Sequence, residues 1–175
     1  MSNVYLISDL HLGHENILEF AGRYRAWADT VLEHDRVLIE RIRSVCRSKR
    51  DVLYILGDVA MGVKQLELLN EIPARKILVR GNHDTFQDGV YMKYFDSIQG
   101  IIHKRYHGQG YWFSHAPIHP HELRGRKNVH GHTHGNLIMK SGCVQDKDYI
   151  NVCVENCNGY PVNTSELETF RGEIK

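Results

Sequence analysis

The sequence predicts an α/β fold, a β-sandwich flanked by helices, in a single domain spanning residues 1–175. Three observations predict it. Short apolar runs rich in β-branched and aromatic residues recur along the chain and read as buried strands. One stretch between the first two runs repeats its apolar residues at three- and four-residue steps, the pattern of an amphipathic helix. Strand–helix–strand alternation early gives way to strand-dense sequence late, which suits a sandwich better than a simple doubly wound sheet.

The predicted strands are residues 4–8, 52–56, 76–80, 110–114, 127–130 and 149–154. The helical repeat uses Ala28, Val31, Leu32, Leu38, Ile39, Ile42 and Val45, with Asp29 or Thr30 as its N-cap. A second helix is expected over residues 63–71, with Val63, Leu66 and Leu69 on one side and Pro73 stopping it. Residues 85–111 give no clear period, although Tyr91, Tyr94 and Phe95 fall at helical spacing and read as core. The stretch 151–162 reads as a strand and tight turn that seal the sandwich.

Composition narrows the function. A chain of 175 residues, 42% hydrophobic and 25% charged, can bury a core without staples. Its net charge of +1 offers no broad basic field, which disfavours long nucleic acid as the main ligand. No run of about 18 apolar residues appears, so no membrane-spanning helix is expected. The N-terminus lacks the basic and apolar segments of a secretory signal, and the cytoplasm is the expected location. Cys46, Cys143, Cys153 and Cys157 lack the spacing of a disulfide framework or of a paired zinc site and read as reduced thiols. The unusual number is 12 histidines, against about four at ordinary usage.

Where those histidines fall carries the chemistry. Five apolar strands end directly in a ligand-type group: Asp9-Leu10-His11, Gly57-Asp58, Gly81-Asn82-His83-Asp84, His115, and Gly131-His132-Thr133-His134. Loops beyond the carboxyl ends of strands converge in α/β sheets, so five such loops can build one site. Glycines 57, 81 and 131 let the loops approach closely. Asp9 and His11 are two apart, as are His132 and His134; in an extended backbone each pair would point the same way. Oxygen and imidazole donors without thiolate suit Mn, Fe, Zn or Ni, whereas Mg prefers fewer imidazoles.

With these motifs in this order, from residue 4 to about 135, the sequence resembles the calcineurin-like metallophosphoesterase superfamily. The string Asp9-Leu10-His11-Leu12-Gly13-His14-Glu15-Asn16-Ile17 is similar to a small, uncapped bacterial or phage-type branch. Ser114 departs from the family, where many members carry Gly before the equivalent of His115. The resemblance implies a four-layer αββα sandwich and two divalent cations; on the donor chemistry Mn2+ is favoured. Asp9, His11 and His134 would hold one, Asn82, His115 and His132 the other, and Asp58 would bridge them. It implies His83 as the acid that protonates the leaving alkoxide, with Asp84 orienting its ring. Two such cations about 3.5–4 Å apart can clamp a phosphate and acidify a bridging water.

Several residues keep two readings. His14 is a substrate contact or a surface-turn histidine. Arg23 and Arg25 bind a distal phosphate or sit in a solvated loop. Asp35, within the apolar stripe of the long helix, supports a metal-binding histidine or lies at the helix edge. The segment 119–124, with its local positive charge, is a candidate wall of the cleft. The expected activity is hydrolysis of small-molecule or nucleotide phosphoesters, diesters ahead of monoesters. The alternatives are a nuclease and a non-catalytic scaffold; oligomeric state is left open.

Overall fold

The computed structural model describes residues 2–141 and 144–170, so Cys143 lies outside the described residues. Strands β1 (Val4–Ile7), β2 (Val52–Ile55) and β3 (Arg75–Val79) pair in parallel, with Leu6 opposite Tyr54 and Tyr54 opposite Ile77. Strand β4 (Ser97–Gln99) extends this sheet beyond β3, and β11 (Val162–Asn163) closes its other edge antiparallel to β1. The second sheet contains β5 (Ile101–Tyr106), β6 (Gln109–Ser114), β7 (Lys127–His130) and β10 (Tyr149–Asn151), in the order β10-β7-β6-β5. A small hairpin pairs β8 (Met139–Ser141) with β9 (Val144–Gln145).

The two-residue period of the strands sorts the core into layers. Leu6, Tyr54, Leu56 and Val79 point towards the second sheet and meet Phe113, Val129 and Ile150. Their neighbours Ile7, Leu53, Ile55 and Leu78 point the other way, onto helix α2 (Val31–Val45). Thr30 caps α2, its hydroxyl accepting from the Glu33 N–H at 3.2 Å. Leu38, Ile39 and Ile42 are buried as the repeat predicts, but Leu32 is 83% exposed. Its place on the buried face is taken by His34 and Asp35, both buried. The predicted helix 63–71 is an α-turn, α3 (Val63–Leu66), running into a 3-10 turn (Glu67–Glu71).

The unassigned middle section holds one helical turn, α4 (Asp88–Tyr91), followed by β4 and β5. Tyr91 and Phe95 are core residues, as their spacing suggests. The outer face of the second sheet is covered by the segment after β6. There the Ile118 N–H donates to Asn128 Oδ1 and the Tyr149 hydroxyl to the Ile118 carbonyl, ahead of the short helix α5 (Pro120–Leu123). No helix among the described residues is long and apolar enough to cross a membrane.

The sheets meet along one rim. The predicted strand 149–154 leaves the second sheet after Asn151, and Cys153 bridges to Ser8 at the end of β1. Two backbone bonds fix that crossing, Ser8 N–H to Val152 O at 3.0 Å and Val154 N–H to Ser8 O at 3.1 Å. This stitch holds the ends of β1 and β7 side by side. Core truncation at Ile42, which is fully buried, should cost about 2–5 kcal/mol. Leu32→Ala should stay within about 0.5 kcal/mol. Urea melts of the two variants test both the burial of α2 and the exposure of its misassigned leucine.

Candidate metal centre

All five ligand-bearing loops leave the carboxyl ends of β1, β2, β3, β6 and β7 and meet at that rim. Their closeness depends on the three glycines. A Cβ on Gly131 would overlap Ser8 Oγ and Asp9 Oδ2, and one on Gly81 would overlap Asp58 Oδ1. Gly57 has φ +90°, and a Cβ there would come within 2.7 Å of Gly81 Cα. Side chains at these positions would push the loops apart.

The backbone at the ligands differs from the expected extended form. Asp9, His11, Asp58, His132 and His134 have φ between 49° and 68°, the left-handed region. The two-residue spacing therefore does not act through strand alternation; each side chain is aimed by a left-handed residue at the strand end. Such residues cost about 1–3 kcal/mol each and persist only where the surroundings hold them.

The donor atoms converge in two groups. Asp9, His11 and His134 place one ligand atom each within 4.8 Å of one another, as do Asp9, Asp58 and His115. Asp58 Oδ2 lies between them, 3.6 Å from His11 Nε2 and 3.5 Å from His115 Nε2. Asn82 Oδ1 lies 2.8 Å from His115 Nε2 and 3.0 Å from His132 Nδ1, which brings both of those residues to the second group. All seven residues assigned as ligands from the sequence therefore sit at one rim.

Three buried atoms test whether a cation fits: Asp9 Oδ1, His11 Nε2 and His11 Nδ1 have no hydrogen-bond partner. Asp9 Oδ1 stands 3.8 Å from His11 Nε2 and 4.0 Å from His134 Nε2. That is too far for hydrogen bonds and a few tenths of an ångström wider than the roughly 3.0–3.4 Å between neighbouring donors that share one ion with bonds of about 2.1 Å, so the donors would close slightly on an ion. Buried polar atoms are rarely left without partners, and an ion shared by Asp9 Oδ1 and His11 Nε2 would satisfy those two, though not His11 Nδ1 on the far edge of the ring.

Neighbouring groups aim the donors. Asp9 Oδ2 accepts from the His132 N–H (2.9 Å), the Ser8 hydroxyl (2.6 Å) and the Cys153 thiol (3.1 Å), which leaves Oδ1 facing the imidazoles. Burial alone would raise the Asp9 carboxyl, but His11, His115, Ser8 and the His132 N–H together hold it well below the usual carboxylate range. His115 Nδ1 donates to Leu56 O at 2.8 Å, so its Nε2 presents the lone pair to the site. His134 Nδ1 pairs with Glu155 Oε1 at 2.9 Å, likewise freeing Nε2. Asp58 Oδ1 accepts the His83 N–H at 2.9 Å.

Asp84 does not orient the His83 ring. Its carboxylate accepts backbone N–H groups of Asp58 (2.9 Å), Val59 (3.0 Å) and Gly81 (2.8 Å), clamping the loop after β2 to the loop after β3. His83 itself is exposed, its ring centroid 5.6 Å from that of His11. Ser114, in place of the family's glycine, accepts from Asn128 Nδ2 and donates to the Ala116 carbonyl; it leaves His115 in position.

Arg25 is neither a phosphate ligand nor a solvated residue. It is fully buried and donates to Glu155 Oε1 (2.9 and 2.6 Å), Asp9 O (2.8 Å) and Leu10 O (3.1 Å). Its remaining contact is His34 Nε2 at 2.9 Å; His34 Nδ1 pairs with Asp35 Oδ1, and Asp35 Oδ2 accepts the Gly13 N–H. Asp35 thus braces the loop after β1 rather than a ligand imidazole, and it is not at the helix edge. Glu155 and His34 were not singled out from the sequence. Glu155 could have been, because it directly follows the apolar run 149–154 just as the ligands follow theirs.

Burial raises the Cys153 thiol well above its ordinary pKa and pushes Cys157 up to about 12. Cys46, Cys153 and Cys157 are free thiols.

A cavity of about 460 Å3 opens beside the first group. His11, His14, His83 and His134 line its inner side, and Ile17, Phe20, Ala21 and Tyr24 line the other, on and just beyond helix α1 (Ile17–Ala21). Burial and the neighbouring His11 lower the pKa of His14. Arg23 is exposed and lies over the Tyr24 ring at 4.5 Å, outside the cavity lining. The segment 119–124 does not wall this cavity.

Comparison with known proteins agrees with this geometry. The model of the calcineurin-like phosphoesterase family matches residues 2–152. The chain is 32% identical over 169 residues to the uncharacterized protein MJ1445 of Methanocaldococcus jannaschii, covering 93% of this chain and 88% of that one. It is 32% identical over 172 residues to the Gene 66 protein of Mycobacterium phage L5, covering 79% and 81% of the two chains. A protein of unknown function from Aquifex aeolicus, AQ665, superposes with a TM-score of 0.75 at 26% identity, over 98% of this chain and all of its own. An archaeal phosphodiesterase shares the fold at 14% identity, with a TM-score of 0.55 over 95% of this chain and 96% of its own. The match to the family model over residues 2–152, with its motifs gathered at one rim, places this chain in the calcineurin-like phosphoesterase family of metal-dependent phosphoesterases.

Proposed function

We propose that the chain is a phosphodiesterase that works with two divalent cations, Mn2+ favoured, on phosphoesters of small molecules or nucleotides, with monoesters as secondary substrates. The observation that carries this reading is the convergence of Asp9 Oδ1, His11 Nε2, Asp58 Oδ2, His115 Nε2 and His134 Nε2, with Asp9 Oδ1 and His11 Nε2 unpartnered in the buried rim. Asp9, His11 and His134 would hold one cation and Asn82, His115 and His132 the other. Asp58 would bridge them, since its Oδ2 is within 3.6 Å of an imidazole of each set. When bound, such a pair supplies positive charge for phosphoryl oxygens and lowers the pKa of a water between the ions.

The chain's own residues do the rest. The loops hold the donors in place before substrate arrives, so little reorganisation accompanies the reaction. His83, exposed at the cavity wall beside His11, protonates the leaving alkoxide oxygen as the ester bond breaks. Its backbone N–H, bonded to Asp58, fixes the loop that carries it. Asp84 acts one step back, by clamping that loop. His14 faces the substrate from the cavity wall; Arg23, exposed and stacked on Tyr24 just outside the lining, can reach a distal phosphate. A cytoplasmic setting suits the free thiols of Cys46, Cys153 and Cys157.

Three outcomes are expected. Bis(p-nitrophenyl) phosphate turnover should vanish with chelator and return with Mn2+; activity that persists in chelator, or never appears on reconstitution, sinks the metallohydrolase. His83→Ala should retain metal and lose most turnover on alkyl esters, but far less on p-nitrophenyl esters, whose leaving group needs no proton; equal losses would exclude the acid role. Glu155→Gln should weaken metal binding about 10- to 100-fold by calorimetry, because His134 loses the carboxylate that orients it. Unchanged affinity in the folded variant would assign Glu155 to stability alone.

A further inference from the structure

We propose that the cavity beside the metal centre is a nucleoside subsite, in which the exposed ring of Phe20 stacks on the nucleobase of a nucleoside phosphodiester. The inference rests on the phosphodiesterase reading and adds the substrate class. Its starting point is an aromatic residue left in water at the mouth of the site: Phe20 is 73% exposed and lines the cavity. Lone exposed apolar residues are ordinary on a protein surface. This one belongs to a stripe, however: Ile17, Phe20, Ala21 and Tyr24 recur at three- and four-residue steps, and all four face the cavity. Ile17 and Ala21 are buried at its base, which leaves the Phe20 ring as the free apolar surface.

Tyr24 is already occupied. The Arg23 guanidinium lies 4.5 Å from its ring centroid, and Gly135 approaches so closely that a Cβ there would be 2.7 Å from Tyr24 Cζ. Tyr24 is therefore a fixed wall, tied to the loop that carries His132 and His134, and Phe20 is the ring available for stacking. Every nucleobase has a flat face to offer such a ring.

The spacing favours a ring held away from phosphorus by a spacer. The His14 ring centroid is 5.7 Å from His11 and 6.0 Å from Phe20, so one imidazole separates the candidate ligand from the stacking ring. A sugar between phosphate and base spans a gap of that kind, whereas an aryl ester places its ring directly against the phosphate. The Asn136 amide on the cavity lining adds both a donor and an acceptor for base edges. A volume of about 460 Å3 is within the range of small-ligand sites.

The test compares two diesters with the same leaving group: thymidine 5′-(p-nitrophenyl phosphate) and methyl p-nitrophenyl phosphate, both with Mn2+-loaded protein. The wild type should prefer the thymidine ester in kcat/KM. Phe20→Ala should reduce that preference about five- to tenfold, the low end for one base–aromatic stack, and Phe20→Trp should restore it. A preference unchanged by Phe20→Ala overturns the subsite while leaving the hydrolase intact. Failure of the wild type on both esters overturns the phosphodiesterase reading instead. The subsite is then decided by saturation-transfer NMR of adenosine 5′-monophosphate on the Mg2+-reconstituted protein. Transfer to the base protons that disappears in Phe20→Ala supports it, and absence of transfer in the wild type rejects it.

Discussion

The left-handed backbone at the candidate ligand positions is the constraint around which this structure is arranged. A carboxylate or imidazole at the end of a strand would ordinarily continue the pleat and point into one sheet face. At Asp9, His11, Asp58, His132 and His134 the chain instead turns through positive φ, and the side chains project off the rim towards a common centre. Five such residues at about 1–3 kcal/mol each form a reservoir of strain comparable with the net stability of a small domain. The surroundings must supply that free energy through contacts made only when the loops are in this arrangement.

One buried guanidinium makes several such contacts. Arg25 holds the carbonyls of Asp9 and Leu10 on either side of the strained turn, and its other edge is neutralised by Glu155. Only a planar group with several fixed donors can satisfy two carbonyls, a carboxylate and an imidazole at once; a lysine could not. Asn151 and Asn156 do the equivalent for the second strained pair, both donating to the His134 carbonyl, at 2.8 and 2.7 Å. The same carboxylate that balances Arg25 also orients His134, so the clamp on one loop and the aim of a candidate ligand on another are one interaction. The arrangement joins residues more than a hundred positions apart, and removing one partner leaves an uncompensated charge in the core.

This explains what could be read in the sequence. Candidate ligand positions were legible because each is announced locally, by an apolar strand that ends in a polar group, with a glycine between them at 57, 81 and 131. Strands β1 to β3 were legible as short apolar runs rich in β-branched and aromatic residues. Leu32 misled because a leucine at helical spacing looks like core, whereas the position is solvent-facing and the buried stripe runs through His34 and Asp35. Those two polar residues are buried only because Arg25 and Gly13 are there to meet them, and nothing in the local sequence names those partners. Asp84 misled for a similar reason: the family resemblance implied that it orients His83, but a carboxylate beside several unpaired backbone N–H groups binds those groups first. Glu155 shows that the strand-end pattern reaches further than the ligands, to the group that orients one of them.

The centre is also asymmetric, and the asymmetry bears on selectivity. Asp9 and His11 are buried while Asn82 and His132 are exposed, so the two groups of donors face different surroundings. The cavity adjoins only the side formed by His11, His83 and His134. Its far wall is built from α1 and the turn after it, in the connection between β1 and α2. That connection also contains Arg25, so the element that lines the cavity with Phe20 and Tyr24 is anchored by the residue that bonds the strained turn after β1. A change in the wall that leaves Arg25 in place can therefore alter which esters are accepted without loosening the ligands, whereas a shift of Arg25 disturbs both. In the proposed reading selectivity and metal geometry share a support in Arg25, while Phe20 and Tyr24 stand apart from the candidate ligands.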